Sequence, residues 1–295
     1  MSQQALYDKL AARVEEGLEY YSPNLPIRQA KLLEAMSYSL TAGGKRVRPV
    51  LLLAFCRAVG GDVEQALPFA CALEMIHTYS LIHDDLPCMD DDEMRRGRPT
   101  NHRIFGEATA LLAGDALHSA AFETMLNPEN LNGLDPMRAL RAAYAVAWAA
   151  GPYGMAGGQL LDMEAEGLAV DLETAGYIHN LKTGALFRAA AEAGCILGGA
   201  SDVQLRSAAT FSECLALAFQ IKDDLLNVEG DARLLGKRTG TDAVSEKMTF
   251  VRVLGLEESR RQVETLTQRG LQEIGVFADA ELLRHIALSM AERQR

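Results

Sequence analysis

The sequence has few aromatic residues, few prolines and no long apolar run. Aromatic side chains make up 6% of the 295 residues, and the alternating Val, Ile and Thr runs typical of β-strands are hard to find. No apolar run approaches the roughly 20 residues that a membrane-spanning helix needs. The first residues are partly charged and include no apolar segment of the kind found in signal peptides. We therefore expect an all-α, soluble and cytoplasmic protein.

A linker is also lacking. No Ser-, Gly- or Pro-rich stretch divides the chain, so we expect a single domain over residues 1–295. The five cysteines are scattered without a CxxC pair, which favours reduced, mostly buried thiols over a zinc site or a disulfide framework. The formal net charge of −11 argues against nucleic acid as a partner, because nucleic-acid binding needs a basic surface. An acidic chain that binds an anion must bring metal ions or a few Lys and Arg residues to it.

Periodicity and capping residues predict a series of helices. The predicted segments are 3–20, 27–41, 47–59, 64–85, 106–126, 136–150, 153–165, 172–198, 202–228, 243–268 and 279–293. Asp171 and Ser201 are expected to cap the helices that follow them. Pro49, Pro68 and Pro136 are expected in first helical turns.

Two segments, 68–83 and 208–228, are apolar nearly all round, which is typical of helices at the centre of a bundle. The first is followed by six acidic residues within residues 84–93. Such carboxylates repel one another, and Mg²⁺, which prefers carboxylate and phosphate oxygens, would relieve the repulsion. Pro87 interrupts the helix, so a turn can bring Asp90 back toward Asp84. An exposed acidic loop is the alternative, and the commoner one for an acidic run that stands alone.

The second acidic motif lies near the end of the other central segment, in the string QIKDDLLN of residues 220–227. Gln220, Asp223 and Asn227 fall at positions i, i+3 and i+7, which is one stripe of a helix. Two central helices that direct carboxylates into one cavity would form a site for more than one metal ion. Such a site can clamp a diphosphate and neutralise it as it leaves.

Basic residues accompany both motifs. The string GGKRVRP of residues 43–49 places three cations beside two glycines, and glycine lets backbone N–H groups approach an anion. Arg95-Arg96-Gly97-Arg98 follows the first acidic motif directly, and guanidinium groups bind phosphate oxygens in bidentate fashion. Mutual pairing of acidic and basic loops is the alternative. His77 lies two turns before Asp84, where it is either a hydrogen-bonded core residue or part of the site.

Together these strings resemble the trans-isoprenyl diphosphate synthases, and most closely the bacterial farnesyl diphosphate synthases (geranyltranstransferases). The strings GGKRVRP, EMIHTYSLIHDDLPCMDDDEMRRGRPTNH, GGQLLD, KTGALF, FQIKDDLLN and LGKRTGTD stand in the family's order between residue 43 and about residue 250. The resemblance implies a helical bundle around a deep central cavity, a homodimer, and Mg²⁺ as cofactor, with three ions expected once substrate is bound. The implied partners are isoprenoid diphosphates.

The resemblance also implies roles for individual residues. The metal ligands would be Asp84, Asp85 and Asp90 in the first motif and Asp223, Asp224 and Asn227 in the second. Isopentenyl diphosphate would be held by Gly44, Lys45, Arg48, His77 and Arg96. The allylic diphosphate would be held by Arg95, Lys182 and Lys237, with help from Lys247. Thr183 and Gln220 would flank the developing allylic cation, so that Lys182, Thr183, Gln220 and Arg95 form the catalytic set, and Gln159 and Asp162 would line the pocket.

Product length is expected to depend on Tyr79. A residue five positions before Asp84 lies about 7 Å deeper along the helix. Helical phase alone favours Ser80, so the choice of Tyr79 rests on the resemblance, in which an aromatic ring at this position stops the chain at C15. A core tyrosine without this role is the alternative.

The second motif departs from the family pattern, and alternatives remain open. Asn227 replaces the last aspartate, Lys222 adds a positive charge, and Met248-Thr249-Phe250 stands where a different string is usual. These changes could weaken one metal site or shift the product. The alternatives are a geranylgeranyl diphosphate synthase, a silent or weakly active subunit of a heteromeric synthase, and a terpene cyclase. A cyclase would have no reason to keep Lys45 and Arg48.

Overall fold

The computed structural model describes residues 2–22, 28–168, 170–235 and 250–293. Within these ranges, fourteen α-helices are present: α1 Gln3–Tyr21, α2 Ala30–Leu40, α3 Val47–Ala58, α4 Val63–Asp84, α5 Asn101–Phe105, α6 Glu107–Leu126, α7 Pro136–Ala150, α8 Met155–Glu164, α9 Leu172–His179, α10 Ala185–Gly198, α11 Asp202–Leu235, α12 Phe250–Leu254, α13 Leu256–Glu273 and α14 Glu281–Glu292. A two-residue strand β1 Met94–Arg95 pairs antiparallel with β2 Arg98–Pro99. The all-α prediction is confirmed.

Backbone contacts divide the chain into two compact units, Met1–Val146 with Glu192–Ala200, and Ala147–Ala191 with Ser201–Arg295. In the first unit, α4 packs against α1, α2, α3 and α6. Most side chains of α4 are buried, as expected for a central helix. The single domain over residues 1–295 stays a prediction.

In the second unit, α11 takes the central position. It packs against α9, α12, α13 and α14. An apolar cluster built on Ile221, Leu225, Phe250 and Val263 joins three of these helices just behind the second acidic motif. The position of that motif is therefore fixed by buried apolar side chains.

Local signals account for several helix ends. Asp171 accepts a hydrogen bond from the Thr174 N–H at 2.8 Å, as predicted for an N-cap. Ser201 and Gln204 form a reciprocal capping box at the start of α11. The expectation for Pro68 was wrong, because α4 begins at Val63 and the proline lies in the second turn.

Three predicted helices differ from the observed ones. The segment predicted at 172–198 is divided by a π-helical turn at Asn180–Gly184. The segment predicted at 243–268 contains a break at Gly255, whose φ of 80° is left-handed, and its first seven residues lie outside the described part. The central helix predicted to end at 228 continues to Leu235.

The remaining structural expectations concern cysteines and membranes. Cys56, Cys71, Cys195 and Cys214 are buried free thiols, and Cys88 is exposed. Across the described ranges, none of the helices combines the length and apolar character needed to cross a bilayer.

Candidate functional site

The first acidic motif begins where α4 ends. Asp84 is the last residue of α4 and Asp85 is its C-cap. After Pro87 the chain turns back, and the Asp90 N–H donates a hydrogen bond to the Asp84 carbonyl at 2.8 Å. The turn that the sequence predicts from Pro87 therefore returns the backbone of Asp90 to the end of the buried helix.

Asp85 points into the protein and is bound by an arginine. Its side chain is 4% exposed, and Arg95 Nε donates to its Oδ1 at 2.6 Å. Burial raises the pKa of the Asp85 carboxyl, while the charge of Arg95 opposes the rise. Arg95 also lies 3.4 Å from Asp92. The pairing of acidic and basic loops, which the sequence left open as the alternative to a diphosphate site, is thus present at this position, and it fixes Arg95 beside the end of α4.

Arg96 is directed by a tight hairpin turn. Arg96 and Gly97 join β1 to β2 with φ values of 52° and 75°, which is the pattern of a type I′ turn. The turn sends the Arg96 side chain to the glycine loop, where its guanidinium donates to the Gly43 carbonyl. A Cβ on Gly44 would lie 3.1 Å from the Arg96 guanidinium carbon. Because Gly44 has no side chain, the Arg96 guanidinium can pack directly against it.

Arg46, in the same glycine loop, is a structural residue. It is 3% exposed and binds Glu15 and Glu74, each at 2.6 Å. It also donates to the Leu40 carbonyl at 2.7 Å. Arg46 thus joins the loop to α1, α2 and α4. Of the three cations in residues 45–48, it is the one committed to the protein interior.

Arg48 meets His77 of α4. Their nearest nitrogens, Nη1 and Nε2, are 3.4 Å apart. Burial, reinforced by the charges of Arg48 and Arg96, holds the pKa of His77 well below its ordinary value. A guanidinium only donates, so Nε2 of the neutral imidazole is the acceptor. Lys45 is exposed, and its carbonyl accepts a hydrogen bond from the Tyr7 hydroxyl.

Tyr79 packs among histidines. Its ring lies edge-on to His118 of α6, with centroids 4.9 Å apart, and to His83, with centroids 5.7 Å apart. His118 in turn packs against Phe122. Burial raises the pKa of Tyr79 to about 12, so the phenol remains protonated.

In the second unit, Lys182 and Thr183 lie in the π-helical turn. Lys182 Nζ binds Asp162 Oδ2 of α8 at 2.6 Å. A Cβ on Gly158 would lie 2.2 Å from the Lys182 backbone nitrogen, so only glycine permits this approach of α8. The buried Gln159 Nε2 has no hydrogen-bond partner among the described residues, which leaves a donor for a ligand.

The aspartates of the second motif have different surroundings. Asp224 is 4% exposed, and it accepts hydrogen bonds from the Phe250 N–H at 3.0 Å and from Gln220 Nε2 at 3.2 Å. Burial raises the pKa of Asp224, and these hydrogen bonds oppose the rise. Asp223 is 38% exposed in its side chain, and its Oδ1 lies 2.5 Å from Arg293 Nη2.

Lys222 lies on another face of α11. It lines a cavity of about 380 Å³ together with Arg260 and Glu264 of α13 and Glu292 of α14. The extra positive charge in the motif is therefore surrounded by residues of the helices behind it. The side chain of Asn227, and all of Lys237 and Lys247, lie outside the described residues.

Magnesium fits the donor chemistry of the first motif. Asp84 and Asp90 supply hard oxygen donors on one turn closed by a backbone hydrogen bond. No group of three or more metal-binding side chains is assembled within the described ranges. This is compatible with Mg²⁺, because such sites use one or two carboxylates and complete their coordination with water and substrate phosphate.

Comparison with known proteins shows the same family in sequence and in structure. Residues 29–280 match the polyprenyl synthetase family. The chain belongs to the polyprenyl synthetases. It is 45% identical to a farnesyl diphosphate synthase of Geobacillus stearothermophilus over 95% of this chain and 94% of that protein. It is 46% identical to the large subunit 1 of a chloroplastic heterodimeric geranylgeranyl pyrophosphate synthase of Arabidopsis thaliana, over 90% of this chain and 72% of that protein.

A solved structure agrees with this assignment. An apo FPP/GFPP synthase from Zymomonas mobilis superposes with a TM-score of 0.88 at 38% identity, covering 98% of both chains. The polyprenyl synthetase studied here is accordingly a prenyltransferase, a trans-prenyl diphosphate synthase. Its relatives include both farnesyl and geranylgeranyl synthases, so family membership leaves the product length open.

Sequence reasoning missed three features of this polyprenyl synthetase. No structural role was predicted for Arg46, because the acidic residues that bind it lie 28 and 31 positions away. The Phe250 N–H that holds Asp224 and the Arg293 guanidinium that holds Asp223 were also missed. The spacing of a motif carries no signal for partners so distant along the chain.

In the glycine loop, replacing Arg46 is expected to lower stability, whereas replacing the exposed Lys45 is expected to weaken ligand binding. Arg46→Met should lower the free energy of unfolding by about 3–5 kcal/mol, because it leaves the buried Glu74 carboxylate uncompensated. The matched change Lys45→Met should alter stability by no more than about 0.5 kcal/mol, since Lys45 is exposed, but should raise the KM for isopentenyl diphosphate. Urea unfolding and steady-state kinetics measure both effects.

The double variant Arg46→Met/Glu74→Leu provides the control, because removing both charges should recover much of the lost stability. If Arg46→Met unfolds at the wild-type urea concentration, the buried ion pair does not contribute as described.

Proposed function

We propose that this enzyme makes farnesyl diphosphate by adding isopentenyl diphosphate to dimethylallyl and then to geranyl diphosphate. The observation that carries the proposal is Tyr79, whose ring packs against His118 of α6 and against His83. Tyr79 lies five residues, or about 7 Å along the helix, below Asp84. A ring fixed at that depth would block a growing chain longer than C15.

Isopentenyl diphosphate is proposed to bind at the glycine loop of residues 43–48. Arg48, His77 and Arg96 reach this loop from three elements, and burial, reinforced by the charges of Arg48 and Arg96, lowers the pKa of His77. Neutral His77 can donate through Nδ1 while it accepts from Arg48. The site would hold one diphosphate through Lys45, Arg48 and Arg96.

The allylic diphosphate is proposed to bind with Arg95, Lys182, Lys237 and Lys247 as cationic contacts. Asp84, Asp90 and Asp223 are the proposed holders of magnesium, which supplies positive charge for the departing diphosphate. A metal role for Asp85, Asp224 and Asn227 stays a prediction. Asp85 and Asp224 already accept hydrogen bonds from Arg95 and from Phe250, so they also orient their neighbours.

The proposed reaction needs no side-chain base. The allylic C–O bond breaks and its electron pair leaves with the diphosphate, whose charge the cationic side chains stabilise. The isopentenyl double bond then attacks the allylic carbon, with Thr183 and Gln220 beside the cation. The departed diphosphate accepts the proton that is lost as the new double bond forms. Apolar walls keep water from the cation.

Two other assignments are the alternatives. Geranylgeranyl synthases are similar to this chain along most of its length. This similarity supports the alternative that the product is C20. A silent subunit of a heteromeric synthase is favoured only by the altered second motif. The intact first motif and the Arg95–Asp85 contact favour an active chain.

A homodimer and a cytoplasmic location are part of the proposal. On α7, Met137, Leu140 and Tyr144 are each about 60% exposed and lie at i, i+3 and i+7, which is one apolar stripe. Such a stripe is typical of a surface covered by a partner. A monomeric mass in sedimentation velocity would contradict the homodimer.

Loss of Asp84 tests the proposed reaction. The purified chain alone should convert isopentenyl and geranyl diphosphates to a longer product only when Mg²⁺ is present. Asp84→Ala should lower kcat by more than about a hundredfold, beyond the loss expected for a residue that only supports a ligand. Circular dichroism should show unchanged helix content.

Asp8→Ala, which removes an exposed carboxylate of α1, is the matched control and should retain full activity. An inactive wild-type chain would remove the proposed function, and an active Asp84→Ala would remove Asp84 from the metal site.

Tyr79→Ala tests product length. Wild-type enzyme should stop at C15 with dimethylallyl, geranyl or farnesyl diphosphate as the starting allylic substrate. Removing the ring should shift the main product to C20 or longer, because the wall below Asp84 is gone. Chromatography of the dephosphorylated products measures the shift. Tyr20→Ala, which removes a ring that is 75% exposed, should leave the product unchanged. A C20 product from the wild type would favour the geranylgeranyl alternative.

A further inference from the structure

Arg293 makes three contacts with a single turn of α11. Its Nη2 lies 2.5 Å from Asp223 Oδ1 and donates to the Phe219 carbonyl at 2.9 Å. Its guanidinium carbon lies 3.8 Å above the centre of the Phe219 ring. Phe219 and Asp223 are four residues apart, so they lie on the same face of α11. The contacts position one cation on the first aspartate of the second acidic motif.

This contact is unlike a surface ion pair. The Arg293 side chain is 11% exposed, and burial lowers the pKa of its guanidinium although Asp223 opposes the shift. A charge removed from water to this extent needs a compensating charge and hydrogen bonds. Asp223 supplies the charge, and Phe219 supplies a carbonyl and the face of a ring. Other ion pairs of α13 and α14, such as Arg284–Glu281 at 3.8 Å, are much more exposed.

The pairing is also incomplete. Arg293 Nε is buried and has no hydrogen-bond partner within the described residues. A buried donor without a partner reduces the stability of the bound arrangement. The Arg293 contact therefore holds Asp223 less firmly than a fully hydrogen-bonded guanidinium would. A weaker contact of this kind suits an ion pair that must dissociate.

We propose that Arg293 is a counter-ion of Asp223 in the metal-free enzyme, and that magnesium must displace it from the carboxylate. The inference rests on the proposed function, in which Asp223 holds a metal ion. Two cations cannot share the carboxylate oxygen without strong repulsion at this distance. Arg293 is thus a positioning residue that stabilises the second motif without metal and lowers its affinity for the ion.

The competition has a thermodynamic consequence. Whatever free energy the Arg293–Asp223 pair contributes without metal is lost when the ion binds, so the apparent affinity falls by the corresponding factor. For an ion pair with one partly exposed partner, the expected factor is about threefold to tenfold. Removing Arg293 should raise the affinity by that factor.

Binding of Mn²⁺ as a spectroscopic substitute for Mg²⁺ tests this directly. Free Mn²⁺ is measured by electron paramagnetic resonance during titration of the full chain without any diphosphate. Arg293→Gln should bind Mn²⁺ about threefold to tenfold more tightly than wild type, and Arg293→Lys should lie between them because it keeps the charge but not the planar fork. Arg284→Gln, the matched change in α14, should behave as wild type.

A double-mutant cycle assigns the effect to the pair. In an Asp223→Asn background, Arg293→Gln should change the Mn²⁺ affinity by less than about 1.5-fold, because the competing carboxylate is gone. Thermal unfolding gives a second readout. In EDTA, Arg293→Gln should unfold at a lower temperature than wild type, and added Mn²⁺ should raise its unfolding temperature more than it raises that of wild type.

Equal or weaker Mn²⁺ binding by Arg293→Gln would overturn the inference, and so would an affinity gain that persists with Asn at position 223. If Arg293→Gln does not fold, the Arg293→Lys titration decides in the same way. If the wild-type chain turns over substrate but Arg293→Gln binds Mn²⁺ no more tightly than wild type, this inference alone fails. A wild-type chain that neither binds Mn²⁺ with inorganic pyrophosphate nor forms product removes the proposed function.

Discussion

The accumulation of negative charge on two buried helices, at the end of α4 and within α11, is the constraint on which the rest of this structure depends. Each helix carries two adjacent aspartates, and adjacent helical residues point about 100° apart. One member of each pair therefore faces the interior. Asp85 and Asp224, the second members, are about 4% exposed, whereas the Asp223 side chain is 38% exposed. The inner carboxylates accept hydrogen bonds from Arg95 and from the Phe250 backbone, and the outer ones, Asp84 and Asp223, are among the proposed metal ligands.

The inner carboxylates are satisfied by different means. Asp85 accepts from a guanidinium, so it fixes the cation that follows the motif. Asp224 accepts from the Phe250 backbone, so it fixes the start of α12. In both cases a buried acid that would be costly alone becomes the attachment point of a neighbouring element. Doubling the aspartate thus places a structural carboxylate directly beside one that is proposed to bind metal.

Much of this arrangement could be predicted from local sequence. The central positions of α4 and α11 follow from their apolar composition, and the return of Asp90 follows from Pro87. The division of residues 172–198 by a π-helical turn could not be predicted, since the turn depends on Gly158 of α8 approaching the Lys182 backbone. The hairpin at residues 94–99 was missed because two-residue strands have no periodicity.

The contacts of individual site residues also divide into those set by local sequence and those set by residues far away in the chain. Arg95 follows the first acidic motif directly in the chain and contacts Asp85 of that motif in the structure. The roles that escaped prediction depend on pairs separated by 28 residues for Arg46 and Glu74, and by 26 for Phe250 and Asp224. Which of several neighbouring cations becomes buried is decided by the acid that it meets in three dimensions.

The π-helical turn at Asn180–Gly184 limits the length of the chain as well as its composition. Such a turn holds one residue more than a regular helical turn. Deleting one residue there would let the segment close as a regular α-helix, with α9 and α10 in nearly the same rotational phase. It would also remove the widened turn in which the Lys182 backbone lies against Gly158 of α8. A residue added or removed within α9 or α10, where no such turn absorbs it, would instead rotate the two helices by roughly 100° and turn buried side chains toward water.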